Sequence, residues 1–306
     1  MKDTSEPMRL LNAVLLLLAG AFVLACITAS PVFNGLIALG RMVGALEGLR
    51  DVHFEEVISR LLLIYLVVGF YPTIRWAGAT SLEPFGMARD LPWMQVACRG
   101  WLLGVGSVAA LYAVALMTGA LVWSPDPWGR VAGRLAGYWV GGVVIALVEE
   151  VFFRGALFGL LRRVVHWIPA AIVVSLFFSF VHFLRPAAPG GIVYGEWHTG
   201  FALVPHMFFV TDRLDHYVPF AITLFLMSIV LCAMYQRQGH IYLIIGLHAG
   251  WVLALQTGKF FVERGAEEWT RFFGTSTNLS RSWSALALLG IMLAVVMALW
   301  RRPESS

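Results

Sequence analysis

Charge is scarce in this chain. Of its 306 residues, 13% are Asp, Glu, Lys or Arg and 59% are hydrophobic, whereas an ordinary soluble domain carries roughly 25% charged residues. A water-soluble surface cannot be built from so few charges, which excludes a soluble globular protein. The formal net charge is only +4, and the arginines stand at the ends of apolar runs without forming basic blocks. That excludes nucleic acid as a partner. Cysteine is equally sparse: Cys26, Cys98 and Cys232 all lie in or beside apolar segments with no C-x-x-C spacing. They exclude a disulfide framework and a thiolate metal site, and read as small core residues. Nowhere does a His-Glu-x-x-His occur.

Long apolar runs are abundant. With about 20 apolar residues needed per crossing, spans are expected at Leu10 to Ser30, Val57 to Tyr71, Trp101 to Trp123, Tyr138 to Leu161, Ile168 to Leu184, Val218 to Tyr235, His240 to Thr257 and Trp283 to Trp300. The fold class is therefore an all-α polytopic membrane bundle of about eight transmembrane helices, with residues 1–306 as a single integral membrane domain. The first run is too long for a removable signal peptide and is expected to stay in the mature protein. Turn chemistry fills the gaps, as in Ser124-Pro125-Asp126-Pro127 and Arg185-Pro186-Ala187-Ala188-Pro189-Gly190. The longer connections, Arg185 to Tyr217 and Gly258 to Ser282, are expected on the membrane surface. Trp101, Trp123, Trp283 and Trp300 read as an aromatic belt. Small residues four apart at Gly137/Gly141, Gly155/Gly159 and Gly246/Gly250 predict close helix approach.

Against this background one stretch stands out: Glu149-Glu150-Val151-Phe152-Phe153-Arg154, inside an apolar run from Tyr138 to Leu161. Each ionisable group at membrane depth costs at least about 2.5 kcal/mol and marks a functional site by default. On a regular helix Glu150 and Arg154 share a face and can pair, while Glu149 is rotated by about 100 degrees toward a neighbouring helix. Glu149 is thus the candidate general base. Two histidines at similar depth, His182 and His248, sit on two other helices. A carboxylate with imidazoles from two helices can deprotonate a water and donate to a developing oxyanion, a hydrolase set without a nucleophilic side chain. Glu55-Glu56-Val57-Ile58-Ser59-Arg60 has the same spacing at the mouth of a span, where charge is cheap and acids suit a helix start. The remaining histidines, His53, His166, His198, His206, His216 and His240, fall in loops or at span ends and read as interfacial.

Glu149-Glu150 with Arg154, Phe178 with His182, and His248 followed four residues later by Val252 together resemble the CPBP or CAAX-processing family of glutamic intramembrane proteases, which includes Rce1-type prenyl-protein endopeptidases. The resemblance covers about residues 138–257, leaving residues 10–123 as accessory helices. It implies that Glu149 and His182 activate water, that His248 helps bind the oxyanion, and that Glu150 and Arg154 hold the site together. Where the family usually has Asn or another polar residue, this chain has Val252. Trp251 or Gln256 are then the candidate substitutes for the missing oxyanion donor.

The implied substrate is a membrane-anchored protein or peptide in the bilayer. In bacteria the family is linked to peptide processing and carboxy-terminal sorting tails, and the cytoplasmic (inner) membrane is the expected location. No cofactor is expected. A zinc ion held by the two histidines and a carboxylate is the open alternative, opposed by the charge of Arg154. The rivals from other classes are a transporter or ion relay and a catalytically inactive membrane scaffold.

Overall fold

A computed structural model describes residues 5–88, 90–184, 196–207, 214–274 and 276–299. In chain order the elements are α1 (Ser5–Met42), α2 (Phe54–Trp76), α3 (Trp93–Met117), β1 (Leu121–Trp123), α4 (Trp128–Glu149), a π-helical segment (Glu150–Phe158), α5 (Gly159–Val164), α6 (Trp167–Val181) and α7 (Thr199–Ala202). After these come α8 (Leu214–Gln238), α9 (Tyr242–Gly258), β2 (Val262–Arg264), α10 (Thr270–Phe273) and α11 (Trp283–Ala298). Every expected span overlaps a helix, and the chain is an all-α integral membrane protein. By length and apolar composition α1, α2, α3 and Val218–Gln238 of α8 each suffice to cross a bilayer, while α6, α9 and α11 are shorter apolar helices. Trp300 lies outside the described residues, as does much of the connection from Arg185 to Tyr217.

The chain divides into two compact units: Met1–Thr80 with Phe180–Asp212, and Ser81–Ser179 with Arg213–Ser306. In the first unit α1 packs on α2 around Ala25, Cys26, Ala29, Phe54, Ile58 and Leu203. Gly200 of α7 sits where any side chain would run into the Cys26 backbone, and Thr28 Oγ1 meets Tyr65 Oη at 2.8 Å. α1 runs twelve residues beyond the expected end at Ser30, straight through Pro31. Proline removes one backbone bond but does not end a helix that its neighbours hold in place.

In the second unit the closest packing joins α3 to α9. Gly100 and Gly104 face Gly246 and Gly250, and a Cβ on any of the four would collide with the opposing helix's backbone. This is the close approach that small residues permit in lipid. The expected approach at Gly137 and Gly141 is absent, because nothing lies within 4 Å of either. The contact with α9 runs one residue later in phase, along Gly142, Ala146 and Glu150, all buried, and a Cβ on Gly142 would stand 3.2 Å from Val252 Cγ1. Gly246→Val is therefore expected to abolish or sharply lower the folded yield in detergent, since overpacking costs about 1–3 kcal/mol even where backbone can yield. Gly137→Ala should leave the melting midpoint unchanged, and equal midpoints for the two variants would contradict the packing described.

Other expectations are corrected by the coordinates. α3 starts at Trp93, so Trp101 lies two turns inside it, its ring 5.3 Å from that of Trp139. Trp123 leaves the helix for β1, which pairs antiparallel with β2 (Leu121 opposite Arg264, Trp123 opposite Val262), and it stacks on Phe261 at 5.5 Å. Three-residue strands are too short to show alternation in sequence. Cys98 is exposed, unlike the buried Cys26 and Cys232. His240, in the link between α8 and α9, is buried beside Tyr242, and that burial lowers its pKa below the ordinary 6.5.

Candidate active site

The helix that carries the paired glutamates changes its winding where they occur. α4 ends at Glu149, and from Glu150 to Phe158 the turn is π-helical, so the Gly159 N–H reaches back five residues to the Arg154 carbonyl. The 100-degree step assumed from a regular helix does not hold across this segment. The backbone at Glu150 keeps ordinary helical angles (φ −68°, ψ −39°), so the wide turn is unstrained there. Runs of this kind are rare and frequently occur at functional sites. Two glycines accommodate it: a Cβ on Gly155 would stand 2.7 Å from the Phe85 carbonyl oxygen, and one on Gly159 would stand 3.1 Å from the Tyr235 hydroxyl. Phe85 is held by its own loop, where Arg163 donates to the Pro84 carbonyl at 3.1 Å and Ile241 N–H to the Gly86 carbonyl at 3.1 Å.

Glu150 is the hinge of the cluster. Its Oε1 accepts from Arg154 Nη1 at 2.9 Å, and both side chains are 0% exposed. The same oxygen lies 2.8 Å from His248 Nδ1. A carboxylate paired with a guanidinium is an acceptor only, so His248 Nδ1 is the donor and Glu150 fixes the ring's orientation. The opposite nitrogen, His248 Nε2, then faces Glu149 Oε2 at 3.9 Å, beyond a direct hydrogen bond. Glu149 is 22% exposed where Glu150 is fully buried. The two glutamates thus have different surroundings: one is consumed by structure and the other keeps access.

Arg154 is seated from the other side by Phe178, whose ring centroid lies 4.4 Å from its Cζ. A desolvated cation over an aromatic face gains more than at an exposed site. Phe178 belongs to α6 and was visible in sequence only as a motif position; its contact with the guanidinium was not. Cys232 of α8 also lies against Arg154 and Ser175. Glu150 Oε2 is buried without a hydrogen-bond partner among the described residues.

The structure thus gathers Glu149, Glu150, Arg154 and His248 within the second unit. His182 lies one residue past the end of α6, half-buried in a turn, and belongs to the first unit. Of the two candidate oxyanion donors, Trp251 spends its indole N–H on Ser107 Oγ at 3.0 Å. Gln256 accepts from Lys259 Nζ at 2.7 Å through its carbonyl oxygen, which leaves its amide N–H groups to donate. Val252 fills the notch at Gly142. The look-alike pair Arg60–Glu56 is also 2.9 Å long, but its side chains are 68% and 50% exposed.

Residues 131–254 match the family of type II CAAX prenyl endopeptidase Rce1-like proteins. That stretch includes most of α4, the π-helical segment, α5, α6 and most of α9, so all of Glu149, Glu150, Arg154, His182 and His248 fall inside it. The match covers the stretch that holds the three motifs and names the family they resemble. No curated protein and no solved structure matches the chain.

Proposed function

We propose that this protein is a metal-free intramembrane endopeptidase that hydrolyses a peptide bond of a membrane-anchored protein or peptide. Glu149, with His182, takes a proton from the attacking water. His248 donates from Nε2 to the oxyanion, which requires protons on both ring nitrogens, a form whose charge sits between two carboxylates. Glu150 and Arg154 hold His248 in place. Gln256 is the substitute donor this reading retains, since the Trp251 N–H is already engaged. Carboxy-terminal tails are the substrate class in view, prenylated or of the sorting type, and a bacterial inner membrane is the location.

The observation that carries the reading is the shared Oε1 of Glu150, bonded at once to Arg154 and His248. It leaves Glu149, alone of the two acids, facing His248 Nε2. The metal-free form is supported by the same bonds: His248 Nδ1 and Glu150 Oε1 are spent on each other. Cleavage of a membrane-anchored reporter by the purified protein should therefore persist in excess chelator. Loss of cleavage with restoration by zinc would assign the water to a metal instead.

One observation favours a second reading. Val252, apolar and packed at Gly142 where the family usually places a polar side chain, fits an inactive scaffold. On the catalytic reading, Val252→Asn supplies an N–H donor one turn from His248 and raises turnover. On the scaffold reading it creates no cleavage.

A further inference from the structure

The start of α1 and the end of α2, both in the first unit, frame an open groove of about 460 Å³. Ser5, Arg9, Asn12 and Leu16 line it along one stripe of α1, and Trp76 and Ala77 close it from α2. Positions i, i+4, i+7 and i+11 share a helix face, so along this stripe the lining passes from a hydroxyl through a guanidinium and an amide to an alkyl group. Trp76 is 80% exposed, and a tryptophan at the end of a spanning helix marks headgroup depth.

Arg9 is placed by the backbone of α2's end. Gly78 has φ +91°, and a Cβ there would stand 2.8 Å from Arg9 Nη2 and 3.3 Å from its Cζ. The guanidinium thus rests on a site open only to glycine. Among the described residues Arg9 has no ion-pair partner, and no acidic residue lines the groove. The neighbouring cation, Arg75, is occupied by the Ala79 and Thr80 carbonyls at 2.9 and 3.0 Å.

We infer that this groove binds an anionic phospholipid, its phosphate on Arg9 and Asn12 and one acyl chain along Leu16 and Trp76. A guanidinium matches a phosphate's paired oxygens. A headgroup with its own ammonium would bring a cation to a groove that offers it no carboxylate. The inference is independent of proteolysis.

Native mass spectrometry of the full chain in detergent, with equimolar dioleoylphosphatidylglycerol and dioleoylphosphatidylcholine, tests it. Wild type should retain the anionic lipid with a preference of about tenfold, a difference one well-placed charged contact can supply. Arg9→Gln should bring the ratio near unity, Leu16→Trp should reduce binding of both lipids by filling the groove, and Arg60→Gln should change nothing. Equal retention of the two lipids by wild type, or a preference that survives Arg9→Gln, would overturn the assignment. Displacement of the lipid by free glycerophosphate would instead define a small-phosphate site, and displacement by an acidic peptide a peptide site. Either result overturns the lipid.

Discussion

Glu149→Gln should lower cleavage of a membrane-anchored reporter by about 10²–10⁴-fold, the usual contribution of a positioned general base, with the melting midpoint nearly unchanged. The substitution keeps size and shape and removes only the ability to take a proton. Glu149 stands outside the ion pair, since the Arg154 bond goes to Glu150 Oε1. His248 Nε2 stands 3.9 Å from its Oε2, beyond a direct hydrogen bond. Loss of rate without loss of stability separates a working carboxylate from a structural one. Paired measurements of initial rate and thermal unfolding read both quantities, and unaltered turnover would remove Glu149 from the chemistry.

Arg154→Ala should show the reverse pattern first, a stability loss of about 3–5 kcal/mol, because it strands a buried carboxylate. Glu150 is 0% exposed and, among the described residues, would keep His248 as its hydrogen-bond partner. Phe178 would also lose the cation over its ring. The chain contains its own control. Arg60 and Glu56 have the same i, i+4 spacing and the same 2.9 Å bond, but both are mostly in contact with solvent, where such pairs contribute about 0–1 kcal/mol. Denaturant unfolding of Arg154→Ala and Arg60→Ala in one detergent compares the two pairs directly. Similar losses would mean that burial is not what makes the Glu150–Arg154 pair matter. Turnover of Arg154→Ala should fall as well, since His248 is oriented through the Glu150 oxygen that Arg154 holds.

The helices were legible in the sequence because the bilayer sets their length and hydrocarbon sets their composition. The Glu150–Arg154 contact was legible too, since helical neighbours meet in a regular or a widened turn. The π-helical winding was not, because nothing local in Val151 to Phe158 signals it, and the Phe85 carbonyl that Gly155 leaves room for lies seventy residues away in the chain. The phase of α4 likewise depends on its partner helix. Four-residue glycine spacing occurs on more than one row, and only the partner helix selects Gly142 and Ala146 over Gly137 and Gly141. The roles of Phe178 and Ser107 depend on contacts between distant helices, which a single sequence does not record.

The central claim is that Glu149-dependent hydrolysis of a membrane-anchored peptide bond takes place in this molecule. Its most direct measurement is cleavage of an anchored reporter by purified protein in proteoliposomes, with wild type, Glu149→Gln and His182→Ala compared and the products identified by mass spectrometry. One defined scissile bond is expected for wild type and none for either variant. Identical product from wild type and Glu149→Gln, or no cleavage alongside ion-coupled uptake that requires Glu149, would contradict it.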